Sequence, residues 1–436
     1  MIATALSRSQ LATYSVMAIP LAMAALPIYV HIPKLYAGEL GMPLALIGAI
    51  LLAARLLDAL QDPLLGYLSD RCAHFPLGRS IPIVLGLPLL GAGFVGLFHP
   101  PQASQTGLAT WLIANLLIVY MGFSAASISY FAMGAELSDD HHQRTRVTAT
   151  RSAFGLLGVL IAAAAPGFLA SDAGGGLAIF SLIFVLVLTV AAFVTLRYTT
   201  RPVAPSIPKA PLSTILLPLR NRNFRWLMSV FVLSGIAGAI PGTLILFYVE
   251  DIVGRPDLAG LFLALYFLFG ALGMPVWIAA SRRFGKKHAW IGAMLLAVLA
   301  FVWAYVLKAG DVVAFGVVCA VSGIAYGAEL AIPPSMLADV VDEEASRERQ
   351  RPDGVYFGLW QTIEKFNLAA AAGIALPLLA WVGYEPGTAQ HQSGSLSTVY
   401  ALLPSVIKLG AAVLLWVAPV SEEERIAGAL TKGAGA

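Results

Sequence analysis

Charge is scarce in this chain. Only 12% of its 436 residues are Asp, Glu, Lys or Arg, whereas 58% are hydrophobic. Soluble domains carry about 25% charged residues. A deficit spread over the whole length excludes a water-soluble globular protein and indicates a chain that crosses a membrane many times. Cysteine is almost missing: Cys72 and Cys319 are far apart, each beside or within an apolar run. Neither a disulfide framework nor a thiolate metal site follows from them. The net charge is only +3, which gives no reason to expect a nucleic-acid partner. No nucleophile constellation, nucleotide loop or metal motif is present, so neither an enzyme nor a cofactor is expected. His141 and His142 adjoin in a polar stretch, where two neighbouring histidines more often face water than hold a metal. No cleavable signal is expected, because the first apolar stretch, from Leu11 to about Tyr36, is too long for a signal core.

What the chain has instead is apolar runs. With about 20–25 residues per crossing, twelve spans are expected, near residues 11–36, 43–68, 80–98, 108–135, 148–170, 176–197, 225–250, 257–280, 288–307, 312–338, 354–383 and 396–418. Between the sixth and seventh lies a segment with Pro202, Pro205, Pro208, Pro211 and Pro218 among scattered basic residues. The expected organisation is a bundle over 1–197, a cytoplasmic linker over 198–224, and a second bundle with a cytoplasmic tail over 225–436. Basic residues crowd one set of loops, with Arg71 and Arg79, then Arg144, Arg146 and Arg151, then Arg282, Arg283, Lys286 and Lys287. The opposite loops hold only Lys34, Arg255 and Lys308. By the positive-inside rule both termini are then cytoplasmic. The fold class is an all-α membrane protein of twelve transmembrane helices in two six-helix bundles.

The second span carries Arg55-Leu-Leu-Asp58-Ala-Leu-Gln61-Asp62-Pro63. Spacings of three and four put Arg55, Asp58 and Asp62 on one helix face. A charged side chain at a bilayer centre costs at least about 2.5–3.5 kcal/mol, so such groups usually face a polar cavity and serve a purpose. Two carboxylates one turn apart need a cation, a basic partner or a shared proton. The bland alternative is that both acids are solvated at the helix end and paired with Arg55.

Three stretches carry a family resemblance. The first is the run from Arg55 to Pro63, leading into Gly66-Tyr67 and the loop Asp70-Arg71 with Gly78-Arg79. The second is Gly134-Ala135-Glu136-Leu137-Ser138 followed by Arg144 and Arg151. The third is Met336-Leu337-Ala338-Asp339, then Gly354 to Trp360, then Lys365. In this order and spacing the chain resembles the glycoside–pentoside–hexuronide:cation symporters of the major facilitator superfamily. The resemblance implies the major facilitator fold and alternating access driven by an ion gradient. It implies a cation site at Asp58, Gln61 and Asp62 with Lys365 nearby, carrying sodium or a proton. It further implies a sugar site that includes Arg151 and Tyr130, and gating charges at Asp70, Arg71, Arg79 and Arg144. The chain departs from the family pattern at Ala126, where a sugar-gripping acid is expected. It departs again at Phe123, where a hydroxyl ligand for sodium is expected and only Ser124 and Ser127 are neighbours. Sodium wants several oxygens, so these departures tilt the expectation towards protons.

Other residues in the spans stay open between roles. Trp360 and Gln361, one turn before Lys365, either line the substrate site or pack. Glu329 is equally a substrate contact or an interhelical hydrogen bond. Glu364 is a second cavity acid or a packing partner, and Lys408 is expected to snorkel or pair locally. Asp139, Asp140, Arg144 and Arg146 are expected in a solvated loop or as gate-closing pairs. The leading reading is a monomeric symporter of the bacterial inner membrane for a sugar or glycoside. The alternatives are a transporter of an amphipathic lipid such as a lysophospholipid, or a membrane partner protein that does not transport.

Overall fold

The computed structural model describes residues 6–72, 75, 77–137, 141–169, 173–199, 218–348, 353–386 and 393–418. Twelve helical segments are long and apolar enough to cross a membrane. The chain divides into two compact units, 1–207 and 208–436, each holding six of those segments. Among the described residues there is no strand.

In the first unit the helices are α1 (Arg8–Ser15), α2 (Ala18–Lys34), α3 (Leu44–Cys72), α4 (Ser80–Phe98), α5 (Gln105–Ala135), α6 (His141–Leu169) and α7 (Ala173–Tyr198). The second holds α8 (Arg222–Tyr248), α9 (Ala259–Phe284), α10 (Lys286–Tyr305), α11 (Val312–Glu348), α12 (Asp353–Trp381), α13 (Ser393–Ser397) and α14 (Leu403–Val417). The segment 200–217, where most of the expected linker falls, lies outside the described residues.

The first and last spans are interrupted where the sequence suggests single helices, and proline is the cause at both places. Pro20 has no N–H to give the Val16 carbonyl, so the chain breaks between α1 and α2, and Ile19 bonds that carbonyl instead. Pro404, at the start of α14, likewise cannot bond Tyr400, and the preceding turn, Thr398–Leu402, is a wider π-turn. Two expectations about loops are corrected. Arg144 and Arg146 stand on α6, and α11 runs past Asp339 to Glu348. The apolar signal stops where a helix leaves lipid, but its hydrogen-bond ladder continues into water. Asp139 and Asp140 lie outside the described residues.

The same pairs of spans pack in both units. α2 lies on α6 as α8 lies on α12, and α3 on α5 as α9 on α11. α4 meets α5 and α7 just as α10 meets α11 and α14. Within a membrane such packing rests on close van der Waals fit, which favours small residues at the crossings. Gly86 and Gly122 show it: a Cβ on Gly86 would sit 2.7 Å from the Gly122 carbonyl oxygen, so α4 and α5 touch backbone to backbone. The second unit fills its centre with larger groups, Phe224, Leu227, Trp290, Met336, Leu337, Tyr356 and Trp360 among them.

Candidate functional site

The contact of α3 with α5 buries the charged face of the second span. Arg55 and Asp58, three apart on α3, meet Tyr120 and Ser124, four apart on α5, so both pairs present one side of their helix. Asp58 is 1% exposed. Its Oδ2 accepts from Arg55 NH1 at 3.1 Å, and its Oδ1 accepts from Gln61 Nε2 at 3.1 Å and Ser124 Oγ at 2.9 Å. The Arg55 guanidinium lies 4.2 Å from the centre of the Tyr120 ring, so its charge is balanced on two sides. Asp62 follows one turn along, half-buried. The exposed side of the same helix is apolar, with Leu57, Leu60 and Leu64 at its crest. Asp58 is therefore paired with Arg55, as the bland reading has it, but inside the unit rather than in water. Ser124, a mere neighbour of the expected ligand position, supplies the hydroxyl that Phe123 cannot.

A second cluster closes one end of the first unit. Arg79 donates from Nε to Glu136 Oε1 at 2.8 Å and from NH1 to Ser69 Oγ at 3.0 Å. Ser129 donates to the same Ser69 hydroxyl at 2.9 Å. The arginine follows Gly78, whose φ of 55° suits a residue without Cβ. The second unit repeats the arrangement at the matching helix pair. Lys286 follows Gly285, with φ 82°, and its Nζ lies 2.6 Å from Asp339 Oδ2. Of the other residues expected to gate, Arg71 is exposed, and the side chains of Asp70 and Arg144 lie outside the described residues. Glu136, the actual partner of Arg79, belongs to a quoted motif but has no role assigned from sequence.

The residues expected to hold substrate are placed unequally. Tyr130 is fully buried, its ring stacked on Tyr14 at 4.6 Å between centroids. The two hydroxyls cross over, Tyr130 to the Tyr14 carbonyl and Tyr14 to the Tyr130 carbonyl, each at 3.1 Å. Arg151 stands over the Phe131 ring at 4.3 Å. In the second unit Trp360 stacks on Phe231 at 3.8 Å, whereas Gln361 is exposed and Lys365 half-buried on the same helix. Glu329 Oε1 accepts from Ser234 Oγ at 2.6 Å and from Lys408 Nζ at 2.8 Å. That corrects the expectation for Lys408, which neither snorkels nor pairs locally but reaches an acid on α11. The signal was available: a lysine and a glutamate, each mid-span in one unit, both need a partner.

Twelve crossings in two units built from the same helix pairings, with ionised groups buried between the helices, define a membrane transporter of the major facilitator fold. A family model described as MFS/sugar transport protein matches residues 13–422, and the chain belongs to that family. It is 24% identical to "Inner membrane symporter YicJ" of Escherichia coli over 398 residues, 87% of this chain and 84% of that one. It is equally 24% identical to "Sphingosine-1-phosphate transporter MFSD2B" of Mus musculus, covering 86% and 82%. With "Sodium-dependent lysophosphatidylcholine symporter 1" of Homo sapiens the identity is 22%, over 86% and 76%. The crystal structure of the nucleoside transporter NupG superposes with a TM-score of 0.67 at 15% identity, covering 93% of this chain and 98% of that one.

Proposed function

We propose that this chain is a cation-coupled symporter for a sugar or glycoside, working by alternating access, with a proton as the coupling ion. The observation that carries the reading is the acid pair on α3, Asp58 buried and Asp62 half-buried. Arg55, Gln61 and Ser124 all donate to Asp58, so its charge is already compensated. Asp62, half-buried one turn along on the same face, is the carboxylate assigned to take up and release the ion. One carboxylate left to carry the ion suits a proton, which needs one oxygen, better than sodium, which needs several. Arg151, Tyr130, Trp360, Gln361 and Lys365 are the residues proposed to meet substrate. Tyr130 and Trp360 would have to leave their stacking partners to do so. The loop charges support cytoplasmic termini, and the bacterial inner membrane is the proposed location.

The test is accumulation in proteoliposomes under an imposed pH gradient or an imposed sodium gradient, for the wild type and Asp62→Asn, with a panel of glycosides. The proposal expects uptake driven by the pH gradient and lost in Asp62→Asn, with exchange retained. Accumulation undiminished in the variant would remove Asp62 from the mechanism. A second reading, transport of an amphipathic lipid, is favoured by relatives named for sphingosine-1-phosphate and lysophosphatidylcholine at comparable identity. A lysophospholipid in the same panel separates the two.

A further inference from the structure

The second unit holds a buried charge cluster that the acids of α3 leave unexplained. The Glu329 and Lys408 side chains are only 12% and 9% exposed. Lys408 Nζ also donates to the Ser234 carbonyl at 3.2 Å, so α11 and α14 both grip α8 at one residue. Such a pair is weak evidence for stability, since well-packed apolar groups of similar volume often serve as well or better. At membrane depth it carries a cost that function usually explains.

A cavity adjoins the pair. Its polar lining is Glu329, Lys408, Tyr266, Tyr326, Ser322 and Ser405, which offers water more than the two partners it needs. Four helices bring a polar group to the carboxylate or to the cavity that it lines. These are Ser234 from α8, Tyr266 from α9, Trp290 from α10 and Lys408 from α14. From α12, Glu364 is near enough to act electrostatically on Tyr326, as Glu329 also is. Lys365 follows Glu364 but leaves the helix about 100° away.

We propose that Glu329 is a second proton-binding group, which takes a proton from water in this cavity and thereby releases α8. Hydronium gives the proton, an O–H bond forms on the Glu329 carboxylate, and water remains. The Ser234 bond at Glu329 Oε1 then loses its charge assistance, and the Lys408 bond loses the carboxylate's share of it. Both side chains reach α8 at Ser234, next to Gly235 and about two turns before Pro241, which has no N–H for the Ala237 carbonyl. This site is separate from the acids of α3 and stands whether or not those carry the coupling ion.

The experiment needs no substrate. Full-length protein in detergent is taken between about pH 9 and about pH 5, reading the infrared band of protonated carboxyl groups and hydrogen exchange of the 231–245 amides, corrected for the intrinsic rate. The wild type should gain a band that Glu329→Gln/Lys408→Met lacks and the charge swap Glu329→Lys/Lys408→Glu regains. Protection of 231–245 should fall at low pH by about fivefold or more, and in the doubly neutral variant it should not depend on pH. Ser234→Ala, which leaves the charges paired, should lower that protection at high pH as well. A band of equal size in the doubly neutral variant, or wild-type protection that does not change with pH, overturns the proposal.

Discussion

Replacing Arg55 by Gln is the sharpest perturbation of the first unit. The change leaves Asp58, 1% exposed, without its ion-pair partner, and removes the cation from the Tyr120 ring. Breaking a buried pair from one side costs about 3–5 kcal/mol, and the lost ring contact adds about 0.5–2 kcal/mol. Ser124→Ala is milder. It removes one hydrogen bond to a charged acceptor, worth about 1.5–3 kcal/mol, while Arg55 and Gln61 stay. The double variant Arg55→Gln/Asp58→Asn puts two neutral amides side by side and should recover most of the loss. Unfolding of the purified protein in one detergent, followed by fluorescence, should therefore rank Arg55→Gln lowest, Ser124→Ala next, and the double variant near the wild type. If Arg55→Gln matched the wild type, or unfolded together with the double variant, Asp58 would not be held as a buried ion pair.

A methyl group at Gly122 would meet the Gly86 carbonyl oxygen at 2.6 Å and the Leu90 backbone, so Gly122→Ala should destabilise the first unit by about 1–3 kcal/mol, measured in the same unfolding assay. Arg79→Glu should lower stability and Arg79→Glu/Glu136→Arg restore much of it, because both side chains are no more than 10% exposed; equal stability of the single and double variants would deny the pairing. A cysteine at Ser206, in a background lacking Cys72, should react with an impermeant label only from the cytoplasmic side; labelling from outside intact cells would reverse the orientation.

The number of spans and their places were legible because lipid enforces them. Every backbone group must be bonded within its own helix, so length and hydropathy suffice. What hydropathy cannot show is where a helix stops once it has left the apolar layer. Hence the run of α11 to Glu348 and the placing of Arg144 and Arg146 on α6 escaped it. The breaks at Pro20 and Pro404 were visible as prolines but not as breaks. Proline in a membrane helix is often absorbed by neighbours, as Pro88, Pro241 and Pro275 are inside intact helices.

For charged groups, sequence spacing reveals partners on the same helix and hides those on another. Arg55 and Asp58 could be paired by counting three residues, because the helix itself sets their distance. Ser124 is 66 residues from Asp58, and Lys408 is 79 from Glu329, so only packing brings them together. A weaker rule was nonetheless available. A buried charge without a partner costs so much that each one implies a countercharge or donor within the same bundle. Applied to the second unit, that rule pairs the mid-span acid Glu329 with a mid-span lysine, and leaves Lys408 or Lys365 to choose between. The crossing of α14 beside α8 makes the choice, since the same lysine must also reach the Ser234 carbonyl. Pairing by demand thus narrows a buried charge to two candidates, and helix packing selects one.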